Sequence, residues 1–120
     1  MNSLSSFMNK EILGYARELA YRSMGAVRRH SPKEKFVVFG RGRSGSTLLV
    51  DLINGHPEVH CVGEILNRKV FSPASMVRNC SRMHAEPVFG FKLLSYQLRS
   101  VLRVDQPKEL LRRLVEEDGY

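Results

Sequence analysis

This sequence of 120 residues predicts an α/β domain, a parallel sheet flanked by helices, and three observations carry the prediction. Phe36, Val37, Val38 and Phe39 are consecutive apolar residues, as in a strand covered on both faces. A glycine-rich loop from Gly40 to Gly45 follows at once. Leu48, Leu49, Leu52 and Ile53 then fall on one face at helical spacing, and Gly55 with Pro57 ends that helix. Farther on, Val88, Phe89, Gly90, Phe91, Lys92 and Leu93 read as a further strand set between helical patterns.

Two regions follow from the order of these signals. Residues 1–34 form an N-terminal extension in which Ile12, Ala16, Leu19, Ala20, Met24 and Val27 recur at helical spacing, predicting an amphipathic helix that packs its stripe on the domain or on another subunit. A cationic helix with several serines also fits a transit peptide or a membrane-surface segment, and Glu11 and Glu18 argue against both. Ser31 and Pro32 break the helix before the first strand. Residues 35–120 form the α/β part, one small domain with enough apolar content for a core. No run of about 18 apolar residues predicts a transmembrane span, and no secretory signal core is evident, so the cytoplasm is the expected setting. Cys61 and Cys80 are too few for a disulfide framework and read as two buried thiols.

The loop carries the chemistry. Glycines let the backbone turn sharply and approach a ligand, leaving free amides at a helix N-terminus, which suits an anion. Arg43 can grip phosphate or sulfate oxygens with two parallel hydrogen bonds, and the hydroxyls of Ser44, Ser46 and Thr47 add donors. Gly40 and Gly45 have the spacing of a P-loop, but Ser46 stands where that motif has its Lys, which argues against a nucleoside triphosphatase. Gly40, Gly42 and Gly45 also spell the dinucleotide fingerprint, with Glu64 at about the expected distance downstream to meet a ribose.

Arg43, Ser44, Gly45, Ser46, Thr47, Leu48 and Leu49, followed by His56, Pro57, Glu58 and Val59 and then by Gly63 and Glu64, resemble the sulfotransferases that use 3'-phosphoadenosine 5'-phosphosulfate. The resemblance is in particular to the carbohydrate and tyrosylprotein branches, and Gly90, Phe91, Lys92 and Leu93 are similar to a strand of the trehalose sulfotransferase group. The resemblance spans Phe36 to Leu94. It implies a P-loop-like sheet in which Arg41, Gly42, Arg43, Ser44, Gly45, Ser46 and Thr47 hold the 5'-phosphosulfate of the cosubstrate. It implies Glu64 as catalytic base, and Lys92 as a cation that stabilises the leaving phosphate or meets the acceptor, a carbohydrate hydroxyl above the other acceptor classes. It also implies a truncated domain, because the family's 3'-phosphate motif has no counterpart here and a sheet ending at this strand keeps an open edge.

Independent of the resemblance, an open parallel sheet binds ligands beyond the carboxyl ends of its strands, which places Glu64, after a short strand at Val59–Val62, in the same crevice as the loop. A carboxylate there can take the proton of an attacking hydroxyl, a role worth about 10²–10⁴-fold; the alternative is an exposed Glu capping the next helix. Lys92 is open in the same way, between a crevice cation and a solvated strand end. His56, His60, Cys61 and Glu64, with Cys80 and His84, are metal-ligand types, but Pro57 and Gly63 interrupt the segment and no metal-binding pair of spaced residues appears, so no metal is expected.

Ser72 and Pro73 open a helix to about His84; Leu94, Leu98, Val101 and Leu102 mark another. Leu110, Leu111, Leu114 and Val115 mark a last one, with Glu109–Arg113 and Arg113–Glu117 pairs at i,i+4 and Gly119 at its close. The formal charge of +7 gathers at Arg28, Arg29, Lys33, Lys35, Arg41 and Arg43 and again at Arg68, Lys69, Arg78 and Arg82, suiting a basic mouth for an anionic cosubstrate. Nucleic acid is disfavoured, since no aromatics interleave the basic residues and no helix-turn-helix or zinc-finger spacing is present. Two rivals stand beside the sulfotransferase: a Rossmann-type nicotinamide-dependent oxidoreductase using the same glycines, and a non-catalytic fragment that keeps the anion loop.

Overall fold

The computed structural model describes residues 3–41, 45–63 and 65–120, with residues 3–10 as backbone alone. In chain order the elements are α1 (Ser3–Arg28), β1 (Glu34–Gly40), α2 (Ser46–Ile53), β2 (Val59–Val62), α3 (Pro73–Arg82), β3 (Val88–Leu94) and α4 (Gln106–Glu116), with a π-helical turn at Gln97–Val101 between the last two. Both strand pairings are parallel and the order across the sheet is β1-β3-β2. The predicted α/β architecture is therefore present.

The central position of β3 follows from its composition. It is buried from Phe89 to Leu94, which only a strand flanked on both edges and covered on both faces achieves. Its odd-numbered residues Phe89, Phe91 and Leu93 join Met76 and Val77 of α3 and Leu110 and Leu114 of α4 in the main core. The even-numbered Gly90 and Lys92 face the other way, toward α2. Gly90 is required there, because a Cβ would lie 2.2 Å from the ring of Phe36, which crosses β3 from the neighbouring strand. The outer edge of β1 has no strand partner among the described residues.

β2 is short, and its free edge is closed by a side chain. The Asn54 amide donates to Cys61 C=O at 2.7 Å and accepts from Cys61 N–H at 2.6 Å, mimicking a strand. This anchor sets the roll of α2: Val50 faces the sheet, while Leu48, Leu49 and Leu52 are exposed. The expected apolar face of Leu48, Leu49, Leu52 and Ile53 is thus corrected, since the Thr47–Val50–Asn54 side is the one pinned to the strands.

α1 is likewise turned from the face its apolar periodicity predicts. Ile12, Leu19, Met24 and Val27 are exposed, and the helix docks through Gly14, Glu18, Tyr21 and Gly25. The glycines permit backbone contact: a Cβ at Gly14 would sit 2.5 Å from Lys69 O, and one at Gly25 would sit 2.9 Å from Asn79 O. Glu18 completes the seam by accepting from Phe71 N–H (2.7 Å) and Ser72 N–H (2.9 Å), just ahead of α3. Arg17 donates to Ile65 C=O on the same side. Burying two donors and a charge-assisted contact outweighs the apolar stripe in choosing the face.

α3 begins as predicted, with Ser72 as N-cap accepting from Ser75 N–H and Pro73 in the first turn. The helix expected from Leu94 to Leu102 is instead the end of β3 followed by the π-helical turn. The fully buried Gln97 explains the substitution: its Oε1 accepts from Leu94 N–H at 3.1 Å, and its C=O accepts from Leu102 N–H at 3.0 Å. On α4, Arg113 pairs with Glu117 at 3.0 Å as expected, but Glu109 pairs with Arg112 at 2.8 Å, an i,i+3 contact, in place of Arg113. Arg113 also donates toward Ser72 Oγ, which turns its guanidinium away from Glu109.

Candidate functional site

In a parallel sheet the carboxyl ends of the strands share one edge, where α/β proteins hold their ligands. Gly40, the end of β1, lies in register with Leu94, the end of β3, and Val62, the end of β2, lies beside Phe91. The chain enters α2 through Gly45, whose φ of 79° is a left-handed conformation that favours glycine. Among the described residues no side chain caps the helix, and Leu49 N–H donates to Gly45 C=O at 3.1 Å. The first-turn N–H groups of Ser46, Thr47 and Leu48 form the positive end of the helix.

Lys92 projects from the central strand into this corner. Its residue is only 4% exposed, and among the described residues its Nζ has one hydrogen bond, to Thr47 Oγ1 at 3.2 Å. An ammonium carries three donors, so the ion-sized charge is poorly compensated where it stands. A solvated Lys at a strand end is not what the structure shows. Cys61 lies near it on the α2 side of the sheet, and burial pushes the Cys61 thiol up to about 11 although the Lys92 charge pulls the other way. The thiol stays neutral at physiological pH and gives Lys92 no counter-charge.

The remaining site expectations divide cleanly. Arg41 is exposed just past β1, Gly45 is the N-cap of α2, Ser46 is half-buried in its first turn, and Thr47 is the partner of Lys92. Gly42, Arg43, Ser44 and Glu64 lie outside the described residues. The positive charge does not all gather at this edge. Lys35 and Arg78 turn to Asp118, through its C=O (2.8 Å) and its carboxylate (2.7 Å), and Lys69 faces Glu11 at 3.7 Å. These contacts consume cations that the sequence assigned to a basic mouth. A groove of about 530 Å³ between α1 and α3, lined by Arg22, Ser75, Asn79 and Arg82 among others, includes neither Thr47 nor Lys92.

Sequence reasoning missed the partnership of Thr47 with Lys92 and the clamp of Asn54 on Cys61, each joining residues that only the strand order brings together. A Lys inside an otherwise apolar strand was the available signal for the first. Sequence reasoning named His60 and His84 among metal-ligand types but not their meeting with Glu86 in a side-chain cluster toward the amino ends of the strands. The His60 and His84 rings stack at 3.6 Å, and Glu86 is beside them, whereas His56 serves its turn by accepting from Glu58 N–H at 3.1 Å. Burial and the neighbouring His60 lower the His84 pKa.

Compared with known proteins, the chain matches no protein-family model, no curated protein and no solved structure. Among the described residues, no helix is long and apolar enough to cross a membrane.

Proposed function

We propose that the chain is the donor-binding part of a sulfotransferase that moves a sulfuryl group from 3'-phosphoadenosine 5'-phosphosulfate to an acceptor hydroxyl, with a carbohydrate as the favoured acceptor class. The buried ammonium of Lys92, held against Thr47 at the N-terminus of α2, is the observation that carries the reading. An anion at that corner gives Lys92 a counter-charge, and the first-turn N–H groups receive acceptors. Arg41, Gly42, Arg43, Ser44, Gly45, Ser46 and Thr47 hold the phosphosulfate in this reading. The acceptor oxygen attacks sulfur while the bond from sulfur to the bridging phosphate oxygen breaks. Glu64 takes the hydroxyl proton, and Lys92 stabilises the negative charge that grows on the departing 3'-phosphoadenosine 5'-phosphate.

The nicotinamide-dependent rival is disfavoured by topology. A Rossmann half-sheet runs 3-2-1, with the second strand beside the first so that its terminal acid meets the ribose; here β3 separates β1 from β2. The loop supplies about 1–2 kcal/mol from the helix end, about 1.5–3 from an Arg contact and about 1 per hydroxyl, against the roughly 8 of micromolar binding. Weak binding is therefore expected of these 120 residues. Thermal-shift titration decides: at equal concentration 3'-phosphoadenosine 5'-phosphate raises Tm and NADPH does not, and Lys92→Met removes the shift. A larger shift with NADPH, or a nucleotide shift unchanged in Lys92→Met, would refute the proposal. Homo-oligomerisation through α1 remains part of the reading, now through its exposed Ile12, Leu19 and Val27, and light scattering of Leu19→Glu against the parent protein reads it directly.

A further inference from the structure

We propose that His60, His84 and Glu86 form a site for a zinc-class divalent ion that staples β2 to the connection between α3 and β3. One ligand atom from each of the three lies within 4.8 Å of the others, and all three residues are half-buried. The residues come from two separate stretches of chain. His60 is the second residue of β2, while His84 and Glu86 belong to the segment between the end of α3 and Val88, so a shared ion would cross-link them.

The fold already brings the three side chains together. His60 and His84 stack on each other at 3.6 Å and on Phe89, a core residue, at 6.5 and 6.2 Å. Glu86 is anchored through its backbone, where His30 Nε2 lies 3.0 Å from the Glu86 carbonyl oxygen. Bonds of about 2.0–2.1 Å put tetrahedral ligand atoms about 3.3 Å apart, so the widest pair must close by at most about 1.5 Å. Rotation of the two rings out of their stack and a new rotamer for Glu86 supply that movement without shifting the strands. Two imidazoles and one carboxylate select zinc-class ions over magnesium or calcium, which prefer all-oxygen shells. Three protein ligands leave the fourth position to water. Cys80 Sγ approaches His84 at 3.9 Å but stands outside the cluster.

The site is distinct from the anion corner. Phe89, opposite His60, and Lys92 are three residues apart on β3, about 10 Å of strand. Its effect is on the fold: β2 is a four-residue edge strand, and an ion bound only by the native arrangement stabilises it by mass action.

The test uses the whole chain, stripped with chelator and titrated with zinc while Tm is followed, then with cobalt(II), whose visible absorption reports tetrahedral coordination. We expect saturation at one equivalent, a rise in Tm and a tetrahedral cobalt spectrum, with His60→Ala and His84→Ala losing all three. Should those variants fail to fold by circular dichroism, Glu86→Gln, equal in size, decides by weakening zinc at least roughly tenfold. No saturable binding by the parent protein would overturn the proposal. So would zinc binding unchanged in Glu86→Gln or in folded His60→Ala and His84→Ala.

Discussion

On one face of the sheet Phe89, Phe91 and Leu93 meet Met76, Leu110 and Leu114, each at most 2% exposed, and α1 adds a further layer through its glycine seam on α3. On the other face Gly90 and Lys92 look toward α2, which covers them with Val50 and leaves Leu48, Leu49 and Leu52 at 47–68% exposure. The first face concentrates apolar burial, and Glu18 and Gln106 hydrogen-bond the backbone around Phe71 beside it. The second keeps a charged group in the interior and a helix end with no side-chain cap among the described residues. On the proposed reading, stability and ligand binding are divided between the faces, in keeping with the tendency of binding elements to come from the less stable parts of a fold.

The largest expected effect breaks the packed face. Phe91→Ala is expected to destabilise the chain by about 3–5 kcal/mol, a large share of the total stability of a domain this size, whereas Leu52→Gln on the opposite side shifts stability by no more than about 0.5 kcal/mol. Urea midpoints of the two variants measure the contrast directly, and similar losses would mean that α2 is packed as well as the core. Next in size is the α1 seam. Gly25→Leu drives a side chain into Asn79 O, for an expected loss of about 1–3 kcal/mol and earlier proteolytic cutting within α1.

Lys92→Met sharpens the division instead. Replacing a buried, singly bonded ammonium by an apolar chain of similar length is expected to leave stability unchanged or raise it by about 1 kcal/mol, while the nucleotide-dependent rise in Tm disappears. Stability and binding moving in opposite directions is the outcome that a purely structural Lys92 would not produce.

How much of this was readable beforehand depended on how local each signal was. β1, the turn at Gly45, α2, the Ser72 cap of α3 and β3 were legible because each rests on neighbours within a few residues. The docking face of α1 was not, because apolar periodicity ranks Leu19 above Gly14 and Gly25, whereas close helix approach rewards the absence of a side chain. The strand order was not legible either, and with it went the meeting of Thr47 with Lys92 and the stacking of His60 on His84. The π-helical turn hid for a related reason: Leu94, Leu98 and Leu102 keep a helical rhythm that Gln97, by capping the end of β3, overrides.

The smallest expected effect returns to the packed face. Tyr120 stands edge-on to Phe91 with ring centroids 5.6 Å apart, and its buried hydroxyl has no hydrogen-bond partner among the described residues. Burial, reinforced by the Asp118 charge, raises its pKa above the ordinary value. The folded chain therefore holds this proton at a pH where the unfolded chain has released it, so stability falls as pH climbs past about 10. Tyr120→Phe removes both the unpaired hydroxyl and the titration. It is expected to match or exceed the parent protein by up to about 1 kcal/mol at neutral pH, and to show a shallower decline in urea midpoint above about pH 10. A loss of stability at neutral pH would mean that the hydroxyl is satisfied after all.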